Sequence, residues 1–123
     1  PQKIKSNKDY KIKGRNLRER KKLVDDIKHL EQAGVFSIVL EATSFDAAED
    51  VLKHSKVPII GIGASVNCDG QVLVTEDLLG FFDKVPKFVK KYTNLKKQII
   101  KAIGNYAKDV RNRKFPTNQD IYN

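Results

Sequence analysis

Apolar residues recur at helical spacing from Leu17 through Leu23, Val24 and Ile27 to Leu30. That spacing predicts an amphipathic helix over residues 16–33, with Asn16 as its cap and Gly34 as its stop. The pattern then changes. Phe36-Ser37-Ile38-Val39-Leu40 is an almost wholly apolar run, as expected of a strand buried on both faces. Ser44 opens a second helix over 45–54 that turns Ala47, Ala48, Val51 and Leu52 inward. Pro58-Ile59-Ile60-Gly61-Ile62 reads as a second strand and Gln71-Val72-Leu73-Val74 as a third. Residues 86–92 and 94–111 read as helices. The longer one gathers Leu95, Ile99, Ala102, Ile103, Tyr106 and Val110 on one face, and Pro116 closes it.

Strands alternating with helices predict an α/β fold with parallel pairing. The span between Leu40 and Pro58 is long enough for a helical crossover. The gap between the second and third strands is too short for one, so the topology there departs from a plain repeat. Three parallel strands alone leave open edges and an uncovered face. The sheet reads as incomplete.

The chain has 123 residues, a single Cys and no Met. Its length suits one domain, and the missing Met suggests a piece of something longer. No signal stretch or membrane span is evident, and a lone Cys68 cannot form an internal disulfide. A reducing, cytoplasmic location is therefore expected. The formal charge of +9 is unevenly spread: residues 1–22 carry +8, 23–83 carry −8 and 84–114 carry +10. Lys outnumbers Arg and the aromatics fall at apolar positions, so nucleic-acid binding by a small basic protein remains a secondary reading.

Few residues suggest chemistry. Glu41 ends the first strand, and active sites of parallel α/β proteins gather at that end. A carboxylate partly withdrawn from water there is suited to act as a base. Position alone fits a surface Glu that merely ends the strand equally well. Gly61-Ile62-Gly63-Ala64-Ser65 lacks the spacing of a phosphate loop, so its glycines are read as backbone requirements. His29 and His54 read as solvated or capping residues. Cys68 has no nearby base. Two His and one Cys make a structural zinc site an unlikely reading of the composition.

Several strings occur in order: Pro1-Gln2, Tyr10-Lys11-Ile12-Lys13-Gly14-Arg15, Ile38-Val39-Leu40-Glu41, Pro58-Ile59-Ile60-Gly61-Ile62-Gly63-Ala64, Asp69-Gly70-Gln71-Val72-Leu73-Val74, Asp77-Leu78-Leu79-Gly80, Pro86-Lys87-Phe88-Val89-Lys90 and Phe115-Pro116. Together they resemble the C-terminal half of the ketopantoate hydroxymethyltransferase family over essentially the whole chain. The resemblance implies the last three strands and flanking helices of a (β/α)8 TIM barrel. It treats residues 1–123 as one partial domain: a basic loop over 1–15, a helix and strands six to eight over 16–83, and C-terminal helices and tail over 84–123. It implies transfer of a hydroxymethyl group from 5,10-methylenetetrahydrofolate to 3-methyl-2-oxobutanoate, with Mg²⁺ on the keto acid and a homo-oligomeric assembly. Glu41 matches the family's general base. The metal ligands and substrate-binding residues belong to earlier strands, so this chain would need the N-terminal half of the barrel.

Three strings depart from the family pattern. Ala42-Thr43-Ser44 stands for Cys-Val-Pro, Ser65 for Gly, and Thr75-Glu76 for a His-containing pair. These changes ring the expected active-site mouth and keep an inactive remnant or a split subunit as the alternative.

Overall fold

The computed structural model describes residues 11–122. Of the basic loop read over 1–15, the first ten residues lie outside that range. The chain forms two compact units, one ending at Leu73 and one beginning at Val74.

The first unit is an α/β layer. Helix α1 spans Leu17–Gln32, with Asn16 Oδ1 accepting the Glu19 amide at 2.9 Å. The Glu19 carboxylate reaches back to the amides of Gly14 (2.9 Å) and Arg15 (3.2 Å), which completes a reciprocal cap. Only Val24 and Ile27 of this helix are buried, with Leu23 packed beside them. Leu17 and Leu30, expected inward, are exposed and lie outside the core that Leu23 and Ile27 join.

Strands β1 (Ile38–Glu41), β2 (Ile59–Ile62) and β3 (Gly70–Gln71) form one parallel sheet in that order. Helix α2 (Phe45–His54) makes the crossover between β1 and β2. Ser44 occupies its N-cap, but the hydroxyl donates to the Gly14 carbonyl at 2.6 Å instead of capping α2. β2 and β3 pair in parallel across a short loop without a helix, as the spacing required.

Two strand boundaries differ from expectation. β1 starts at Ile38, where the amide donates to Pro58 O, so Phe36 stays outside the ladder and exposed. β3 is shorter than the run 71–74. β2 turns off at Gly63 (φ 64°), and beyond the Val72 amide, which donates to Gly61 O, no ladder partner remains.

The core is Ile27, Leu40, Ala48, Val51, Ile59 and Cys68, with Leu23, Ile38, Leu52 and Ala64 around it. It joins α1, α2 and one face of the sheet. The register pairs Ile38 with Ile59 and Leu40 with Gly61, so these positions share the covered face. Val39, Ile60, Glu41 and Ile62 share the other face, and Val39 is 62% exposed. The expectation of a strand buried on both faces therefore holds for one face only. Arg20 Nε donates to Asp50 at 2.7 Å and ties α1 to α2.

The second unit holds α3 (Thr75–Leu78) and α4 (Leu95–Arg111). The short α3, which the sequence pattern missed, ends in Gly80 at φ 76°, whose amide bonds to Asp77 O. Residues 86–92, expected as a helix, form only a turn closed by the Val89 amide on Pro86 O. Lys87, Lys90 and Lys91 crowd that segment, and the Lys91 ammonium is drawn to the carbonyls of Phe82 and Asp83. Asn94 caps α4 through the Lys97 amide at 3.1 Å. Its apolar stripe forms as expected but is not buried: Ile99, Ile103, Tyr106 and Val110 are all exposed. The helix ends at Arg111, ahead of Pro116, because Arg113 adopts φ 54° and cannot continue it.

The two faces of the sheet should respond differently to truncation. Ile59 is fully buried, so Ile59→Ala should cost about 2–5 kcal/mol by urea denaturation. Val39→Ala should cost no more than about 0.5 kcal/mol in the same chain at a dilution that keeps it monomeric. Equal costs would show that the covered face has been misassigned.

Candidate active site

Glu41 is the last residue of β1, half-buried and in register with Ile62 at the carboxyl end of β2. The chain must turn sharply after it to enter α2, and it does so through Ala42 at φ 49°. A non-glycine residue in this left-handed region costs about 1–2 kcal/mol. The conformation is held by bonds on every side. Ala42 N donates to Ile62 O (2.9 Å), Thr43 N to Gly63 O (3.2 Å) and Lys13 N to Ala42 O (3.0 Å). Ser44 N donates to Lys13 O (2.8 Å), and Thr43 Oγ1 donates to Glu41 O (3.2 Å). Lys13 and Thr43 form a parallel bridge beside the main sheet. The backbone carrying Glu41 is thus clamped between β2 and the segment before α1.

Gly14 makes that clamp possible. It is buried at φ 77°, and a Cβ there would collide with the Ala47 Cβ. On β2, a Cβ on Gly61 would come 2.9 Å from Cys68 Sγ and 3.0 Å from the Gln71 amide oxygen. Gly63 has positive φ. Gly63 therefore answers to backbone geometry, as read from the sequence, whereas Gly61 is limited by the side chains of Cys68 and Gln71.

The loop leaving β2 is fixed by a carboxylate that sequence reasoning missed. Glu49 of α2 accepts the Ser65 hydroxyl at 2.6 Å and the Asn67 amide nitrogen at 3.0 Å. Ser65 is buried, its hydroxyl accepts Asn67 N, and its carbonyl receives the Gln71 side chain at 2.7 Å. The Ser65 hydrogen bond, then that from Asn67, holds the Glu49 carboxyl below its ordinary range against the opposing effect of desolvation. The signal was Ser65 itself, a hydroxyl where the family pattern has glycine. Asp69, read only as part of a turn, accepts the Ile59 amide at 2.8 Å and anchors the start of β2.

The other candidates lie elsewhere. α2 returns the chain from the Glu41 end to the start of β2, so His54, in its last turn, sits at the opposite end of the sheet. Its Nδ1 lies 2.7 Å from Asp50 O. His29 is exposed in the last turn of α1, just before β1 begins. Cys68 is a buried core residue. Among the described residues no group of three or more His, Cys, Asp or Glu could hold a metal ion. No described helix is long and apolar enough to cross a membrane.

A half-buried carboxylate at the carboxyl end of a parallel strand, beside a clamped loop, is the arrangement found in α/β enzyme sites. Comparison with known proteins narrows that class. The ketopantoate hydroxymethyltransferase family profile matches residues 1–118. A 3-methyl-2-oxobutanoate hydroxymethyltransferase of Pelagibacter ubique is 52% identical over 114 residues, covering 93% of this chain and 44% of that protein. A relative of the same name in Nitrosopumilus maritimus is 45% identical over 99% of this chain and 44% of its own length. One from Zymomonas mobilis, named 3-methyl-2-oxobutanoate hydroxymethyltransferase 2, is 46% identical over 99% of this chain and 45% of its own. The chain belongs to the ketopantoate hydroxymethyltransferase family. It spans less than half the length of these relatives.

The Glu49 clamp carries a pH prediction. A carboxyl held low when folded stabilises the protein above its unfolded value and loses that contribution as pH falls through the folded value. Glu31, lowered chiefly by the Lys56 amide, and Asp50, lowered chiefly by Arg20, act in the same direction. Stability of the first unit should therefore fall as pH drops below about 4.5, the ordinary glutamate value. Ser65→Ala should reduce this acid dependence and destabilise at neutral pH. Identical acid-unfolding curves for parent and variant would show that the clamp contributes nothing.

Proposed function

We propose that this chain supplies the proton-transfer half of a 3-methyl-2-oxobutanoate hydroxymethyltransferase site, with Glu41 as general base. The observation that carries the reading is the half-buried carboxylate at the end of β1, held by the left-handed turn at Ala42. Glu41 would take the proton from C3 of 3-methyl-2-oxobutanoate. The resulting carbanion would attack the one-carbon unit of 5,10-methylenetetrahydrofolate. One C–N bond to the folate breaks as the C–C bond forms. Water then displaces the second folate nitrogen from that carbon, and the water oxygen becomes the hydroxyl. Both nitrogens end protonated, one by the proton taken from C3 and one by water.

The family reaction also draws on Mg²⁺. Its ligands are proposed to lie outside this chain, on the strands that precede these three in the barrel. The same holds for the residues that bind the keto acid.

Residues 1–123 are proposed as one partial domain, the last three strands and following helices of a (β/α)8 barrel. The uncovered sheet face of Val39, Ile60 and Ile62 supports this, since the interior of such a barrel is filled by inward side chains from all its strands. The remaining N-terminal strands would cover that face, and the complete protein would act as a cytoplasmic homo-oligomer. Ser65 and Thr43 at the mouth are buried and hydrogen-bonded. That ordered state favours a working site over an inactive remnant.

In the complete protein, Glu41→Gln should lower kcat by roughly 10²–10⁴ while leaving the circular dichroism spectrum unchanged. A kcat within a factor of three of the parent, about 0.65 kcal/mol in barrier, would remove Glu41 from the mechanism. Expressed alone, this chain should sediment as associated species, because apolar sheet surface and open strand edges invite pairing. A sharp two-state melt at monomeric size would contradict this.

A further inference from the structure

We propose that the basic segment before α1 forms a subsite for an extended oligocarboxylate, the glutamate tail of the one-carbon donor, beside the Glu41 end of β1. The proposal rests on the functional reading above for the identity of the donor. A cleft of about 440 Å³ is lined by Lys11, Ile12, Lys13, Arg15 and Glu19, within the size range of ligand pockets. Its place in the fold is set by backbone bonds. Lys13 N donates to Ala42 O and Lys13 O accepts from Ser44 N, so this segment runs alongside the residues that follow Glu41. Lys11 stands two positions before Lys13, as Glu41 stands two positions before Thr43 along the parallel partner.

Three cations face one acid in this cleft, and the acid is already used. Glu19 accepts the amides of Gly14, Arg15 and its own cap partner Asn16. Among the described residues, the ion pairs involve Arg20, Lys22 and Lys96, leaving Lys11, Lys13 and Arg15 without a carboxylate. They are three of the ten cations of residues 1–22, and the transfer chemistry does not otherwise use them.

The chemistry favours carboxylates over a phosphate. A phosphate cradle needs converging backbone amides, and here the amides of Gly14 and Arg15 are occupied by Glu19. What remains is three long, flexible cations spread along an open cleft with Ile12, 45% exposed, between them. Such a surface suits several separated charges joined by methylene groups. A γ-linked glutamate chain has that pattern. Its tethering would raise the local concentration of the donor at Glu41 without altering the chemical step.

Fluorescein-labelled penta-γ-glutamate, titrated into the complete protein and read by anisotropy, tests this apart from catalysis. Binding should weaken as salt rises, because screening reduces exposed charge interactions. The variant Lys11→Gln/Lys13→Gln/Arg15→Gln should bind at least tenfold more weakly, and Lys11→Arg/Lys13→Arg should bind like the parent. Lys101→Gln/Lys108→Gln on α4 should also leave affinity unchanged. Should the triple variant lose its circular dichroism signal, the single changes Lys11→Gln and Arg15→Gln, each expected to weaken binding about threefold (some 0.65 kcal/mol), decide the matter. Absence of binding by the parent, equal loss in the α4 variant, or inorganic triphosphate competing at or below the peptide's concentration would each overturn the proposal. A loss of turnover in Glu41→Gln has no bearing on these outcomes, so the two readings fail separately.

Discussion

The parallel register that sets Glu41 opposite Ile62 is the constraint on which the remaining geometry depends. It follows from burial. Leu40 and Ile59 must both reach the core beneath α1 and α2, and a one-residue slip of either strand would carry its apolar set to the other face. With that register fixed, Glu41 falls on the face away from the helices and at the carboxyl end of the sheet. The strained turn at Ala42 then sends the chain back over the core. Its cost is offset because Ile62, Gly63 and Lys13 each bond to the turn.

The surroundings of Glu41 are polar but ordered. Ser65 stands where the family pattern has glycine, and its hydroxyl finds the Glu49 carboxylate of α2. Thr43 bonds to the carbonyl of Glu41. Thr43, Ser44 and Ser65, among the substitutions that raised the prospect of a decayed site, therefore have partners within the fold. Among the described residues no buried side-chain polar atom lacks a hydrogen bond. A drifting sequence would be expected to leave such atoms orphaned.

Much of the first unit was legible because its signals were local and mutually consistent. Asn16 marked the start of α1, and Ala47, Ala48 and Val51 marked the inner face of α2. The limits were set by tertiary context. Leu17 and Leu30 fit the helical period, but they lie outside the core. Val72 and Val74 have strand chemistry, yet β2 turns away at Gly63 before they can pair. Residues 86–92 have apolar spacing compatible with a helix and instead make one turn, with lysines unmatched by acids along it. Glu41 was visible as a strand-ending carboxylate. Glu49 was not, because an acid on an amphipathic helix reads as solvated until its contact 16 residues away is known. The family could be read from spacing across the whole chain, and the profile match over residues 1–118 agrees with it.

The central claim is that the end of β1 delivers a base to the keto acid. Deuterium exchange at C3 of 3-methyl-2-oxobutanoate, followed by proton NMR in the complete protein without folate, isolates that step from one-carbon transfer. The parent should exchange the proton, and Glu41→Gln should exchange it slower by roughly 10²–10⁴. Exchange at the parent rate in the variant would contradict the account.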